Sequence, residues 1–242
     1  MMNNLLYISL LPVVLLLTYI YKKDVDKEPK GLLIKIFVFG CISCIPIAII
    51  ETIIGEFFPS SYIPSFFITL VSVFVGVGFV EEFGKWIITY KNVYKSNEFN
   101  HPYDGIVYAV FASLGFAAVE NVLYVFSYGF QIGLYRAVLS VPSHMVDAVF
   151  MGYFLAKSKK EFIDDKQEYF GSLLLSILVP SITHTIYDAI LSYYELTGSS
   201  LVFAFFWIFV IGSYIVAFRI ICSQSKQKLN FDNTEAGIRR EV

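Results

Sequence analysis

Residues 64–90 read PSFFITLVSVFVGVGFVEEFGKWIITY. No charged side chain occurs from Pro64 to Val80, and then Glu81, Glu82 and Lys85 follow inside the same apolar run. At 1.5 Å per residue a helix of this length spans roughly 40 Å, more than the roughly 30 Å of a bilayer's hydrocarbon core. The stretch reads as a membrane-spanning helix. A charged side chain near the bilayer centre costs about 2.5 to 3.5 kcal/mol on insertion scales, so carboxylates and an amine at this depth must face protein or water.

The same reading extends along the chain. Apolar runs long enough to span occur at 4–21, 31–54, 104–127, 134–156, 168–194 and 199–222, giving seven helices with 64–90. The composition agrees: 57% hydrophobic and 16% charged residues with a mean hydropathy of +0.66 exclude a soluble domain of this length. The predicted fold is an all-α integral membrane bundle. It forms a single transmembrane domain over residues 1–222, followed by a disordered cytoplasmic tail over 223–242. A formal charge of −2 and the lack of a basic stripe give no reason to expect a nucleic-acid partner.

Positive charge alternates between the loops. Lys22, Lys23, Lys27 and Lys30 follow the first run, Lys91 and Lys95 the third, and Lys157, Lys159, Lys160 and Lys166 the fifth, while the tail adds five more basic residues. The opposite loops carry only Arg136. Fifteen basic residues against one place the amino terminus outside and the carboxyl terminus in the cytoplasm, in a multi-pass protein of the cell membrane. The first run has no basic residue before it and ends in Tyr21-Lys22-Lys23, so it reads as a retained helix rather than a cleaved leader. Cys41 and Cys44 form a C-x-x-C within an apolar run that offers no partner ligands, and they read as packing residues.

Eight ionisable residues stand out inside the runs of four consecutive helices: Glu81, Glu82, Lys85, Glu120, His144, Asp147, His184 and Asp188. Residues three or four apart share a helix face, which pairs Glu81 with Lys85, His144 with Asp147, and His184 with Asp188. Glu120 stands beside Asn121 on the fourth helix. Four consecutive helices thus each present one polar face, and the four can converge on one cavity. With neutral histidines the cluster has five carboxylates against Lys85, an excess of four that demands protonation, charged histidines or a metal cation. The blander reading makes Glu81-Glu82-x-x-Lys85 a buried structural ion pair and leaves Asp147 and Asp188 to orient their histidines. Pro142 and Pro180 break helix hydrogen bonds near the histidines, and the glycines between Gly76 and Gly84 permit close approach by a helix or a substrate backbone.

The order Glu81-Glu82-x-x-Lys85, Phe116-x-x-x-Glu120-Asn121, His144, His184-x-x-x-Asp188 resembles the PrsW family of intramembrane proteases over residues ~75 to ~190. The Lys23-Asp24-x-x-Lys27-Glu28-Pro29 segment agrees as well. The resemblance implies an endopeptidase that makes the first cut in a single-pass membrane protein such as an anti-sigma factor in response to envelope stress. The family is also similar to the CAAX prenyl endopeptidases and bacteriocin-processing proteases, from which this sequence departs by having Glu120 where those relatives have histidine.

Peptide hydrolysis needs an activated water and a stabilised oxyanion. In this chain Glu81 or Glu82 is the expected base, Glu120 and His184 hold the water or a cation, His144 polarises the carbonyl, and Lys85 neutralises a carboxylate, with Asn121, Asp147 and Asp188 in support. Glu120, His144 and His184 plus water would also match a catalytic zinc site, although no H-E-x-x-H motif is present. Two other classes use the same residues: a proton- or ion-coupled transporter with its buried acids as relay, and a pH-responsive membrane sensor.

Overall fold

The computed structural model describes residues 2–57, 65–164, 169–227 and 231, and the described residues form helices and connecting turns with no strand. Seven segments are long and apolar enough to cross a membrane. They are α1 (Met2–Lys23), α2 (Lys30–Phe57), a composite of α3 (Phe66–Val73), a π-helical turn (Phe74–Gly78) and α4 (Phe79–Val93), α5 (Pro102–Tyr128), a broken pair α6 (Phe130–Val138) and α7 (Ser140–Asp164), α8 (Tyr169–Thr197) and α9 (Ser200–Gln224).

Burial separates these helices more clearly than hydropathy does, since α1 and α5 have mean hydropathy 1.9 and 1.8 but 17% and 72% of their spans buried. The most apolar spans, α2 and α9, reach mean hydropathy 2.5 with 28% and 17% of the span buried, whereas α5 reaches 1.8 with 72% buried. A helix wrapped by protein needs fewer lipid-soluble side chains, so α5 holds the centre and α1, α2 and α7 pack around it. Small residues allow that packing. Gly105 of α5 and Gly152 of α7 touch backbone to backbone, since a Cβ at Gly152 would lie 2.3 Å from the Gly105 carbonyl oxygen.

The lysine-rich end of the bundle is tied together by polar side chains. Asp104 closes the start of α5 by accepting the N–H groups of Asn100 and His101 at 2.9 and 2.6 Å. The Tyr108 hydroxyl donates to Glu28 in the α1–α2 turn, and Lys159 donates to the Ser96 carbonyl at 2.8 Å. The cytoplasmic tail expected over 223–242 lies largely outside the described residues. Within it, Phe231 packs on Phe99, with ring centroids 6.3 Å apart, and donates its N–H to the Asn100 carbonyl at 2.6 Å.

Two details differ from the sequence expectation. The fifth run is interrupted at Leu139, between α6 and α7, so Pro142 falls in the first turn of α7, where a missing N–H costs no helix bond. The carbonyl that Pro142 leaves without a helix donor is that of Val138, and the Tyr214 hydroxyl of α9 lies 3.4 Å from it while donating to the Leu139 carbonyl at 2.9 Å, so the fold itself covers the break.

Candidate active site

The π turn Phe74–Gly78 ends two residues short of the Glu81-Glu82 pair. A π turn shifts the phase of the residues that follow it and is common at functional sites. Gly78 makes the turn possible here: a Cβ would lie 2.3 Å from Thr185 Oγ1 and 3.0 Å from the Ser181 carbonyl oxygen, so the segment lies directly against α8. Gly84 similarly abuts Ile47 of α2. Close helix packing therefore accounts for both glycines.

Lys85 is the centre of the arrangement. Fully buried, it places Nζ 2.8 Å from Glu81, 2.7 Å from Glu82 and 3.1 Å from His144 Nδ1, and 4.3 Å from the ring centroid of Phe116. An ammonium has three protons, and these contacts use all three. His144 Nδ1 is then an acceptor, which leaves the proton of the neutral ring on Nε2, and Nε2 lies 2.9 Å from Glu120. Geometry thereby fixes the His144 tautomer. The Ser113 hydroxyl holds the backbone at this point by donating to the His144 carbonyl at 2.9 Å.

His184 sits differently. Its Nδ1 is 3.0 Å from Glu82 and 3.7 Å from Asp147, and its Nε2 is 3.2 Å from Asp188 and 3.9 Å from Glu81. With carboxylates at both nitrogens, both contacts become hydrogen bonds when the ring is an imidazolium. Asp147 is itself held by the Thr183 hydroxyl at 2.5 Å. The two histidine rings meet edge to face at 5.4 Å.

All eight ionisable residues singled out in the sequence contribute to this one region, joined pair by pair across α4, α5, α7 and α8. The structure adds two that the sequence reading passed over. Arg136, read as a loop marker, donates to Glu120 at 2.7 Å and to Asn121 Oδ1 at 2.9 Å, and stacks on Tyr124 at 4.0 Å. Asn121 in turn donates to the Ser9 carbonyl of α1 at 2.8 Å, so the guanidinium is anchored from two helices. Glu51 of α2 borders the same space. One further carboxylate and one further cation leave the negative excess unchanged.

A cavity of about 490 Å³ opens onto the cluster, with Glu81, Glu120, Arg136, His144, His184 and Asp188 in its wall. Glu82 is completely buried and lies behind that wall.

The donor set suits a metal ion. Among the described residues, Glu81, Glu82, His144 and His184 bring one ligand atom each within 4.8 Å of the others, and two imidazoles with carboxylates are ordinary zinc ligands. The Lys85 ammonium touches three of these four residues, so a divalent ion would have to take over contacts that the lysine now makes. The cluster is built to hold positive charge. Glu120, expected among the metal ligands, stands outside this group and hydrogen-bonds the other nitrogen of His144.

Comparison with known proteins gives this cluster a context. The sequence matches the family described as PrsW family intramembrane metalloprotease over residues 28–215, a stretch that includes every residue of the cluster. The chain belongs to the PrsW family. Among curated members it is 38% identical over 192 residues to Protease PrsW of Oceanobacillus iheyensis, covering 78% of this chain and 84% of that protein. It is 38% identical to the Bacillus subtilis protein of the same name over 182 residues, 75% of this chain and 79% of the relative. The Clostridioides difficile relative is 33% identical over 193 residues, with 78% and 79% covered. No solved structure matches. Family membership and the seven spans together make this a multi-pass protease of the cell membrane. That leaves the transporter and sensor readings without support.

Proposed function

We propose that this protease cleaves a single-pass membrane protein, of the kind an anti-sigma factor represents, within or beside the bilayer, and that Glu81 is the base that activates the hydrolytic water. The observation that carries the assignment is the cavity wall: Glu81 borders the open space, whereas Glu82 is sealed behind it. A general base must reach the proton it removes.

Each remaining residue then has a stated task. Lys85 holds the Glu81 and Glu82 carboxylates in place and screens their repulsion. Glu82 and Asp188 grip His184 from its two sides, so that a protonated Nε2 stands at the cavity, 3.9 Å from the Glu81 carboxylate. A scissile amide laid across the cavity face of this pair meets in Glu81 an acceptor for the water proton and in His184 Nε2, once its proton turns from Asp188, a donor to the developing oxyanion. Glu120, fixed by Arg136, takes the Nε2 proton of His144 and holds that ring in the cavity wall, and with Nδ1 facing Lys85 neither ring nitrogen of His144 is left to polarise the carbonyl. When bound, a zinc ion would be held by Glu81, Glu82, His144 and His184 and would supply Lewis-acid polarisation of the carbonyl and acidification of bound water. The charge pattern of the loops supports placing the amino terminus outside, with the cavity in the half of the bundle away from the lysine-rich end.

The test combines elemental analysis with cleavage of a co-expressed, tagged anti-sigma-type substrate by wild type, Glu81→Gln and His184→Ala. Expected is a loss of about 10²- to 10⁴-fold in cleavage for Glu81→Gln, the range of general-base removal. One zinc per chain, lost together with cleavage in His184→Ala, assigns the metal mechanism. Cleavage by metal-free protein that still depends on Glu81 assigns the glutamate alone. Cleavage that survives both substitutions refutes the site.

A further inference from the structure

The cavity contains one acid that the hydrolytic chemistry leaves unused. Cys44, Ala48, Glu51 and Thr52 form the face of α2 that borders it. Cys44 packs on Phe116, the residue that also touches Lys85 and His144, so Cys44 marks the level of the reacting groups. Glu51 follows two turns later, roughly 10 Å along the helix axis. Its Oε1 is buried and has no hydrogen-bond partner.

The other charges of the wall are committed. Glu120 is bound by Arg136 and His144, Glu81 by Lys85, and Asp188 faces His184. The guanidinium of Arg136 is spent on Glu120 and Asn121. Glu51 also lies outside the four residues able to share a metal. A carboxylate at a cavity wall with one oxygen buried and unpartnered is stabilised by a cation brought to it, and the occupant of this cavity is the substrate.

We infer that Glu51 is a specificity-determining residue that receives a lysine or arginine side chain of the substrate, about three residues from the scissile bond. The spacing follows from ~3.3 Å per residue of extended chain over the roughly 10 Å between the two levels, and the basic residue lies towards the end of the bundle where α2 terminates. The inference rests on this cavity being the active site. It extends that reading from the chemistry of hydrolysis to the choice of polypeptide.

A library of tagged single-span proteins, randomised over the segment around the membrane boundary, separates the two claims. It is co-expressed with the full-length wild type, Glu51→Gln, Glu51→Asp, Glu51→Lys or Glu81→Gln protein, and the cleaved sequences are read out. Wild type enriches lysine and arginine over glutamine at one position by about tenfold, the discrimination expected of one well-placed charge contact. Glu51→Gln brings that ratio to about one, Glu51→Asp retains it, and Glu51→Lys replaces it with a preference for aspartate and glutamate. The ratio is internal to each variant, so a lower amount of folded protein does not change it. A wild type with no basic preference, a preference that persists in Glu51→Gln, or a library that wild type leaves uncut overturns the inference. Undiminished cleavage by Glu81→Gln overturns the active-site reading instead.

Discussion

Replacing Lys85 by methionine keeps nearly the same length and volume while removing the ammonium that bridges Glu81 and Glu82. The ammonium makes three hydrogen bonds of 2.7 to 3.1 Å and lies 4.3 Å from the Phe116 ring centroid, all at zero solvent exposure. Breaking a buried ion pair by deleting one partner costs about 3–5 kcal/mol, because the remaining charge is left in a low dielectric. Two carboxylates share this cation, so Lys85→Met is expected at the upper part of that range, with cleavage abolished. The compensating experiment is the triple variant Lys85→Met, Glu81→Gln, Glu82→Gln. Neutralising all three positions removes the stranded charges, and most of the lost stability should return although activity does not. Reversible unfolding of purified protein in mixed micelles, followed by helical circular dichroism, measures both differences. If Lys85→Met is as stable as wild type and the triple variant is no more stable than Lys85→Met, the two acids carry their own protons in the native state and the ammonium is not their counterion.

Substitutions at three further positions address separate parts of the structure. Arg136→Gln frees Glu120 from its 2.7 Å ion pair and should lower kcat about 10- to 100-fold with a smaller change in KM, since the guanidinium orients Glu120 and His144 rather than binding uniformly; Arg136→Lys should recover only part, having one donor group where the fork now reaches two residues. Equal losses in kcat and protein stability would make Arg136 purely structural. Gly78→Ala places a methyl group 2.3 Å from Thr185 Oγ1 and should cost about 1–3 kcal/mol by overpacking; a wild-type melting temperature would show that α8 can yield there. At the lysine-rich end, burial, with Asp104 adding its charge, raises the Glu28 carboxyl from its ordinary value to about 9. A carboxyl raised on folding stabilises the folded state below its unfolded value of about 4.3 and loses that contribution as pH climbs towards the folded value. The melting temperature should therefore fall between pH 5.5 and 8.5 in wild type and fall less in Glu28→Gln. Identical slopes would remove Glu28 as the cause.

What the sequence shows of this protein depends on how far each interaction reaches along the chain. The seven spans were legible because a bilayer imposes a length and an apolar composition that any window of the sequence reports. Glu81, Lys85, His144 and His184 were legible because an ionisable group inside such a window is conspicuous. The break at Leu139 was legible in part, since Pro142 denies the Val138 carbonyl its helix donor one turn back, whereas the Tyr214 hydroxyl that reaches this point from α9 was not.

Arg136 and Glu51 were missed for a common physical reason. Each lies near the end of an apolar run, where a charged residue costs little at the interface and is therefore expected on composition alone. Position relative to the membrane says nothing about which way such a side chain turns. The break after α6 brings Arg136 to Glu120, and the close packing of α2 against α5 brings Glu51 to the cavity. Neither approach leaves a trace in local sequence. The two residues bear on different properties: the groups buried deep enough to be conspicuous supply the hydrolytic chemistry, while those near the run ends adjust its geometry and select the polypeptide. Substitutions at 81, 85 and 184 should therefore change how fast any substrate is cut, and substitutions at 51 should change which substrate is cut.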